Sequence, residues 1–179
     1  TDRRNGKPKP NPHVSAGKPY DAMSFDKIVE LAKAPRKVEK RNAQWAIFST
    51  YCDFDARVHA VQRDRGEFWV LAVDLDKDAP NLCGVLSAIR EALGGIECLV
   101  YASRSATEAV PKWRVLVPLV EAVRGSDYAE IQGALFDLLE EQDLTCDRTL
   151  ERTGQLVFLP NKGEYYVYEH ILGERLNIG

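Results

Sequence analysis

Two aspartates at the end of an apolar segment are the residues of this 179-residue chain whose type and spacing most directly suggest chemistry. Asp74 and Asp76 close the segment FWVLAVDLD at residues 68–76. Its aromatic and β-branched content predicts a buried strand. Side chains two apart on a strand share a face, so both carboxylates are expected on one face at the strand end. The residues of opposite parity are predicted to face a core: Trp69, Leu71, Val73 and Leu75.

The paired carboxylates have two interpretations. Like charges side by side repel each other, and a divalent cation would remove that cost. Oxygen ligands of this kind suit Mg²⁺ or Mn²⁺. The other interpretation is a solvated strand end that runs into a turn at residues 77–80 (KDAP). Taken alone, the Asp-x-Asp pattern favours the turn, so the surrounding elements must decide between the two.

The composition is that of an ordinary globular protein, with 45% apolar and 28% charged residues, and the length allows one domain with a sizeable core. A net charge of −3 means that any nucleic-acid surface must be a local patch. No signal peptide, transmembrane run or CxxC spacing is found, so we expect a cytoplasmic protein with free thiols. The first residue is Thr, which favours a piece of a longer protein. The cysteines are Cys52, Cys83, Cys98 and Cys146.

The first 66 residues are expected to form a basic arm and an α/β part that precede the core. Residues 1–20 are rich in Pro, Gly, Lys and Arg and predict a mobile arm. Within residues 21–66, Ser24 is expected to cap a helix that runs to about Lys33 and stops before Pro35.

A basic stretch at residues 36–41 (RKVEKR) follows this helix. It could contact phosphates, but a solvated loop is the more common role of such a run. Residues 44–51 predict a strand, whereas the mixed segment at 53–64 carries no clear signal.

Strands and helices follow one another from residue 67 to residue 160 in the order β-α-β-β-α-β. This order predicts an α+β fold of the split βαβ, RRM-like type, with the N-terminal part packed on its sheet to make one integrated domain with residues 67–179. Right-handed crossovers would place the first strand between the third and the fourth, both antiparallel to it. The predicted strands are 68–76, 97–102, 112–119, 155–160 and one more at 165–171; the helices begin after Asn81 and Ser126 and end at Gly94-Gly95 and near Glu141.

This topology brings charged residues from separate segments to one sheet edge. The end of the first core strand lies beside the start of the third, and the loops at 103–111 and 142–154 open there. Lys112 and Arg114 share the parity that faces away from the core, as the two aspartates do. A salt-bridge network at the sheet rim is the alternative to a functional site, and the convergence favours the site. The residues gathered are Asp74, Asp76, Ser103, Arg104, Ser105, Lys112, Arg114, Asp147 and Arg152.

Four passages appear in an informative order. VDLD at 73–76 closes an apolar strand, and residues 101–119 (YASRSATEAVPKWRVLVPL) read as a strand, a Ser/Thr-rich turn and a basic strand ending in Pro-Leu. Asp147 then precedes GQLVFLPN at 154–161. In order and spacing these passages resemble the motifs of the archaeo-eukaryotic primase superfamily, in particular the primase-polymerase domains of plasmid, phage and mobile-element replication proteins. The resemblance covers residues 67–161 and says little about residues 1–66.

The resemblance implies a metal site. Asp74 and Asp76 match the paired aspartates of the first motif, and Asp147 stands where the family's third metal-binding carboxylate falls. Together they would hold two Mg²⁺ or Mn²⁺ ions. Glu151 is the alternative third carboxylate if the loop before it folds differently.

The resemblance also implies a phosphate site, with one departure from the family pattern. The second motif usually holds a histidine that contacts the phosphates of the incoming nucleotide, and this chain has none in the turn. Basic side chains would bind the phosphates instead. The histidines of the chain are His13, His59 and His170. The implied nucleotide-binding residues are Ser103, Arg104, Ser105, Lys112, Arg114 and Arg152.

The activity implied is that of a DNA primase or polymerase, which transfers nucleotidyl groups from NTPs or dNTPs on a single-stranded DNA template. The implied partners are that template, the nucleotides, and a helicase or further domains of a longer replication protein, with no membrane. The alternative is a catalytically inactive module that binds single-stranded nucleic acid on its open sheet face. That face is apolar and expected to be covered by residues 20–66, which disfavours this mode; its residues are Phe68, Val70, Ala72 and Leu116.

Two other enzyme classes fit less well. A sugar transferase also uses Asp-x-Asp at a strand end, but it would normally place a nucleotide-binding α/β half before the motif, which residues 1–66 do not supply. A rolling-circle nicking enzyme can share the topology, but it needs a paired-histidine metal motif that this chain lacks.

Overall fold

The computed structural model describes residues 19–179. The predicted mobile arm at residues 1–20 therefore lies, except for its last two residues, outside the described part of the chain. The described residues form a mixed α+β fold with four helices and two antiparallel sheets, which confirms the predicted class. The helices are α1 (Phe25–Lys33), α2 (His59–Arg65), α3 (Leu82–Leu93) and α4 (Gly125–Glu140), with 3-10 turns at Lys40–Asn42 and Arg148–Glu151. The strands are β1 (Trp45–Ala46), β2 (Glu67–Leu75), β3 (Cys98–Ala102), β4 (Trp113–Arg124), β5 (Val157–Phe158) and β6 (Tyr168–Ile171).

Two helix starts follow from short polar side chains, as predicted. Ser24 Oγ accepts a hydrogen bond from Lys27 N at 3.2 Å and caps α1. Asn81 Oδ1 accepts from Gly84 N at 3.0 Å and caps α3. The left-handed conformation of Gly94, with φ of 67°, ends α3, because residues with a side chain rarely adopt it.

The predicted cap at Ser126 is wrong, because α4 begins at Gly125 and its cap position is Arg124, two residues before Ser126. Gly125 N donates to Gly66 O at 2.8 Å, so the start of α4 touches the end of α2. A Cβ at Gly125 would come within 2.0 Å of Gln62 O. The close contact between the two helices thus sets the start of α4. Within residues 19–179, the hydroxyl of Ser126 bonds to its neighbour Asp127 and does not cap the helix.

The prediction that Trp69 faces the core is also wrong. Its side chain is 43% exposed, whereas Leu71, Val73 and Leu75 are buried as expected. The pairing of β2 with β4 shifts register between Phe68 and Val70, and this irregularity interrupts the alternation of faces at Trp69. The bulge is not visible in a simple parity count.

The larger sheet has the order β2–β4–β3–β6, and the smaller one pairs β1 with β5. The prediction that the strand near residues 155–160 lies beside β2 is therefore wrong, since β5 pairs with β1 instead. Trp45 stands opposite Phe158 in that pair. The strand predicted at 44–51 shrinks to Trp45–Ala46. As a result, β2 lies at the edge of its sheet.

The outer edge of β2 is closed by side-chain and loop groups instead of a strand. Near its start, Trp69 N donates to Phe48 O at 3.0 Å. In the middle, the buried amide of Gln132 in α4 bonds both backbone groups of Ala72, accepting from its N–H at 3.2 Å and donating to its carbonyl at 2.9 Å. A loop N–H described below completes the edge. Gln132 therefore stands in for the peptide of a neighbouring strand.

One face of the larger sheet carries Asp74, Arg114 and Tyr101 in a row, because Arg114 stands opposite both of the others. The hydroxyl of Tyr101 donates to Phe158 O at 2.7 Å, which ties this face to the smaller sheet. The hydroxyl of Tyr166 donates to Ala32 O at 2.8 Å and ties α1 to the same side of the fold. The N-terminal segments therefore contact the face that holds the two charged residues.

The cysteines are free thiols, and two of them are buried. Burial raises the pKa of Cys98 and of Cys146 to about 12, so both stay protonated at neutral pH. Cys52 and Cys83 are exposed. Between residues 19 and 179, none of the helices has the length and apolar content that a membrane crossing requires.

The edge closure by Gln132 leads to a stability prediction. Gln132→Leu keeps a side chain of similar size but leaves the N–H and carbonyl of Ala72 buried without partners, at about 1–3 kcal/mol for each group. The hydroxyl of Tyr128, which donates to Gln132 Oε1 at 3.0 Å, also loses its acceptor. We expect urea denaturation to report a loss of at least that size. Glu130→Leu on the exposed side of α4 is the control, expected within about 0.5 kcal/mol of wild type; equal stability of both variants would contradict this role of Gln132.

Candidate active site

The centre of the candidate site is an ion pair between neighbouring strands. Asp74 and Arg114 stand directly opposite each other on β2 and β4, and Arg114 Nε donates to Asp74 Oδ2 at 3.3 Å. Both side chains are largely buried, with 22% of Asp74 and 16% of Arg114 exposed. The two side chains can pair because both lie on the face of the sheet opposite to that of Val73 and Val115. Arg114 bonds to Asp74 through Nε. The two terminal nitrogens of Arg114 have no hydrogen-bond partner in the described chain.

The next row toward the sheet end carries three further predicted site residues. Lys112 precedes Arg114 by two residues, and its carbonyl accepts from Ser103 N at 2.9 Å. Ser103 follows Tyr101 by two residues and is buried. Continuing the register of β2 with β4 puts Asp76 opposite Lys112. Asp74 and Asp76 thus begin two successive rows that each contain one basic residue.

Asp147 reaches the same strand through its backbone. Its N–H donates to Asp74 O at 2.9 Å, which completes the closure of the outer edge of β2. Its Oδ1 accepts from Thr149 N at 3.0 Å and caps the 3-10 turn at Arg148–Glu151. The alternative carboxylate, Glu151, bonds instead to Arg148 at 2.6 Å. The loop therefore brings Asp147, and not Glu151, to the predicted place beside Asp74.

The ionisation of Asp74 is disfavoured by its surroundings. Burial raises the pKa of its carboxyl, the positive charge of Arg114 opposes this without cancelling it, and the charges of Asp76 and Asp147 raise the pKa further. Its Oδ1 is buried and has no hydrogen-bond partner among the described residues. A buried carboxylate oxygen without a donor is costly, and a cation would remove that cost.

A second cation, Lys40, lies near the site, because Lys40 and Arg114 both contact the ring of Phe158. The guanidinium carbon of Arg114 lies 5.8 Å from the ring centroid, and Lys40 Nζ lies 5.3 Å from the same centroid. Lys40 belongs to the basic stretch at 36–41, which is held by Asn161: its side chain accepts from Val38 N at 3.0 Å and donates to Val38 O at 2.9 Å. The stretch thus lies beside the site. The sequence had left two alternatives open for it, a contact with phosphates and a solvated loop.

The remaining predicted site residues lie at the surface. Arg104, Ser105 and Arg152 are exposed, and in the described part of the chain none has a hydrogen bond or ion pair with the side chain of Asp74 or Arg114. Gly163 packs closely against the turn that carries Arg104. A Cβ at Gly163 would come within 1.9 Å of Arg104 O. Ser103 Oγ is buried without a partner among residues 19–179.

The oxygen-only donors of the site suit Mg²⁺ or Mn²⁺. Within residues 19–179, no group of three or more His, Cys, Asp or Glu side chains is arranged to hold a metal by itself. Mg²⁺ in nucleotide enzymes is usually held by one or two carboxylates together with the phosphates of the substrate. Asp74, with its unpartnered Oδ1, and the exposed Asp76 fit such a shared site.

Comparison of the chain with protein-family models, with curated proteins and with solved structures gives no match. The functional argument therefore rests on the residues of this chain.

Several residues that shape the site could not be found from the sequence. Tyr101 is an exception. It is two residues before Ser103, so the alternation of side chains along a strand would have placed it on the same face. Gln132 and Phe158 act through contacts between segments far apart in the chain, and no local pattern indicates them. Gln132, for example, lies 60 residues from Ala72. Lys40 lies in the basic stretch at 36–41, but its contact with Phe158 could not be found from the sequence.

The raised pKa of Asp74 gives a pH-dependent prediction. For an acid whose pKa in the folded state exceeds its ordinary value of 3.8, the stability contribution is fully present below pH 3.8 and is lost as the pH rises through the raised pKa. Asp74→Asn removes this titration, so we expect a higher Tm than wild type at pH 7 and a difference that shrinks as the pH falls toward 4. Asp64→Asn, at an exposed position, should show no such trend. A variant that is less stable than wild type at pH 7 would mean that the Arg114 pair outweighs burial.

Proposed function

We propose that the protein is a metal-dependent nucleotidyltransferase, the DNA primase or polymerase domain of a replication protein, acting with NTPs or dNTPs on a single-stranded DNA template. One observation carries the proposal. Asp74 and Arg114 face each other at the end of adjacent strands, and Asp147 reaches the same point from a separate loop. Carboxylates and a guanidinium from three separate segments thus lie near one another at one end of the sheet.

The fold supports the proposal as a variant of the split βαβ arrangement. The elements β2, α3, β3, β4, α4 and β5 follow the order of that arrangement, and β2, β4 and β3 lie side by side as it requires. The fourth strand is displaced onto β1, and Gln132 with Asp147 occupies its place beside β2. The site residues lie on the sheet face, as in the RRM-like core that the sequence resembles.

The reaction assigns a role to each side chain. The 3′ oxygen of the growing strand bonds to the α-phosphorus of the nucleotide, the bond from that phosphorus to the bridging oxygen breaks, and pyrophosphate leaves while the hydroxyl proton passes to solvent. Arg114 offers its unpartnered terminal nitrogens to the triphosphate, and Lys112 in the next row offers a second positive charge. Both offset the negative charge that develops on the phosphates.

Asp74, Asp76 and Asp147 would hold the divalent ions in this reaction. When bound, two such ions activate the attacking hydroxyl and neutralise charge on the leaving group. Asp74 is fixed in place by its backbone bond to Asp147 and by its pair with Arg114. Asp76 is exposed and can move to meet a bound nucleotide.

The second candidate is a catalytically inactive module that binds single-stranded nucleic acid. It is favoured by one observation, namely that two of the three carboxylates already have protein partners. Asp74 pairs with Arg114, and Asp147 Oδ1 caps the turn that begins at Arg148. In such a module the carboxylates only balance charge and shape the loop.

Substitution of the paired aspartates separates the two candidates. Asp74→Asn and Asp76→Asn each remove a metal ligand with little change in size, and we expect each to lower labelled dNTP or NTP incorporation with Mg²⁺ or Mn²⁺ by about 100-fold or more, because an ion supplies several kcal/mol of transition-state stabilisation. Thermal melting should show that both variants stay folded. Asp64→Asn is the control and should retain activity.

Two outcomes would favour the inactive module. One is the absence of incorporation by the wild-type protein although it binds single-stranded DNA. The other is near wild-type incorporation by Asp74→Asn, which would show that synthesis does not use this site.

Arg114→Lys tests the phosphate role of the arginine. Lysine keeps the charge that faces Asp74 but loses the planar fork that grips phosphate oxygens. We expect the Kd for nucleotide to rise by an amount worth about 1–3 kcal/mol, as for a charged hydrogen bond, with template binding unchanged. Arg124→Lys, which keeps an exposed pair with Asp127, is the matched control. Unchanged nucleotide affinity in Arg114→Lys would leave Arg114 with a structural role only.

A further inference from the structure

A continuous strip of rings and cations leads away from the candidate site along the smaller sheet. It begins at Arg114 and passes to the Phe158 ring, which Lys40 also contacts. Phe158 stands opposite Trp45 in the antiparallel pair of β5 with β1, so the two rings share a face. The guanidinium of Arg57 lies 5.4 Å from the centroid of the Trp45 ring. Two neighbouring rings therefore form the middle of the strip, and each of them contacts at least one cation.

The strip ends in a polar pocket of about 120 Å³. Arg57 belongs to both the strip and the pocket, which connects them. His59 is fixed in the pocket wall, because its Nδ1 donates to Thr153 O at 2.7 Å and leaves Nε2 for another partner. The residues that line the pocket are Ile47, Arg57, His59, Gly154, Gln155 and Leu156.

Lys40 and Arg57 differ from some of the cations near them in sequence, which pair with carboxylates. Arg41, Arg63 and Arg148 each pair with a nearby acid. Lys40 and Arg57 have no such partner among residues 19–179, and they contact rings instead. Two cations held on half-buried rings without counter-charges favour a ligand that is both anionic and flat.

We propose that this strip, defined as Arg57, Trp45, Phe158 and Lys40 together with the pocket at His59, binds single-stranded DNA. Bases stack on the rings, as on the aromatic platforms of single-strand-binding proteins, and the backbone phosphates meet the cations. Duplex DNA cannot bind in this way, because its bases are already stacked and paired. The pocket accepts a phosphate on Arg57, whose guanidinium nitrogens are hydrogen-bond donors.

The strip deepens the proposed function, on which it rests for the identity of the strand as the template. It leads directly to Arg114, so a strand bound along it is delivered to the pair of Arg114 and Asp74. The binding itself needs neither metal nor nucleotide, because none of its groups is a carboxylate. It can therefore be measured apart from synthesis.

The test uses fluorescence anisotropy of a labelled oligo-dT of about 12 nucleotides, a length within the usual site size. Binding is measured in EDTA at several salt concentrations. Lys40→Ala and Arg57→Ala should each make the dependence of log K on log salt shallower by about 0.7, the value for one phosphate contact on a single strand. The controls Arg41→Ala and Arg63→Ala remove paired cations next to the strip in sequence and should leave the slope unchanged.

Substitution of Trp45 tests the stacking. Trp45→Leu should raise the Kd for oligo-dT by about tenfold or more, whereas Trp45→Phe, which keeps a flat ring, should restore most of the affinity. Circular dichroism and thermal melting check that both variants fold. A purely structural role of Trp45 would lower Tm in Trp45→Leu without separating the two variants in DNA affinity.

Three outcomes would overturn the proposal. They are wild-type DNA affinity with an unchanged salt slope in Lys40→Ala and Arg57→Ala, equal affinity of Trp45→Leu and wild type, and at least tenfold tighter binding of oligo-U than of oligo-dT. A failure of the proposed function looks different. The wild-type protein would then bind oligo-dT in EDTA through the strip, but it would incorporate no nucleotide.

Discussion

The position of β2 at the edge of its sheet is the constraint on which the candidate site depends. An edge strand exposes a row of backbone N–H and carbonyl groups, and each must find a partner if the strand is buried. Here the amide of Gln132 serves Ala72, and the N–H of Asp147 serves Asp74. The hydrogen bond that satisfies the last exposed carbonyl of the strand is thus also the bond that brings a third carboxylate to the site. The contact that closes the edge of β2 is therefore also the contact that assembles the candidate site.

The same arrangement keeps Asp74 in an environment that does not favour its charge. Burial raises its pKa, and the partner on β4 offsets this only in part. Such a residue adds little to folding, and a cation bound to it would remove the cost of its buried charge. The hydroxyl of Tyr101, whose pKa is raised by burial, stays neutral beneath the pair and acts as a hydrogen-bond donor to Phe158 O. The sheet face therefore holds the acidic group of Asp74 in a fixed position, and the neighbouring Tyr101 is uncharged.

Local chemistry made part of this fold predictable. Ser24 and Asn81 cap their helices with their own side chains, and the parity of Asp74 and Arg114 gives their shared face without any knowledge of the partner strand. The errors arise where a distant contact decides. The start of α4 depends on how closely Gly125 approaches α2. The edge of β2 is occupied by the amide of Gln132, and β5 pairs with β1 instead. Whether the paired aspartates act on nucleotides stays a prediction, because the same geometry can also serve as an ion pair.

The closure of β2 by Gln132 has a consequence for how the protein behaves at high concentration. A bare edge strand is a template on which a second molecule can add its own strand, and this is a common start of aggregation. A side-chain amide blocks that addition at the centre of the edge, and it presents no backbone to which a further strand could pair. One glutamine thus occupies the central position at which a second molecule would otherwise pair with the edge of β2.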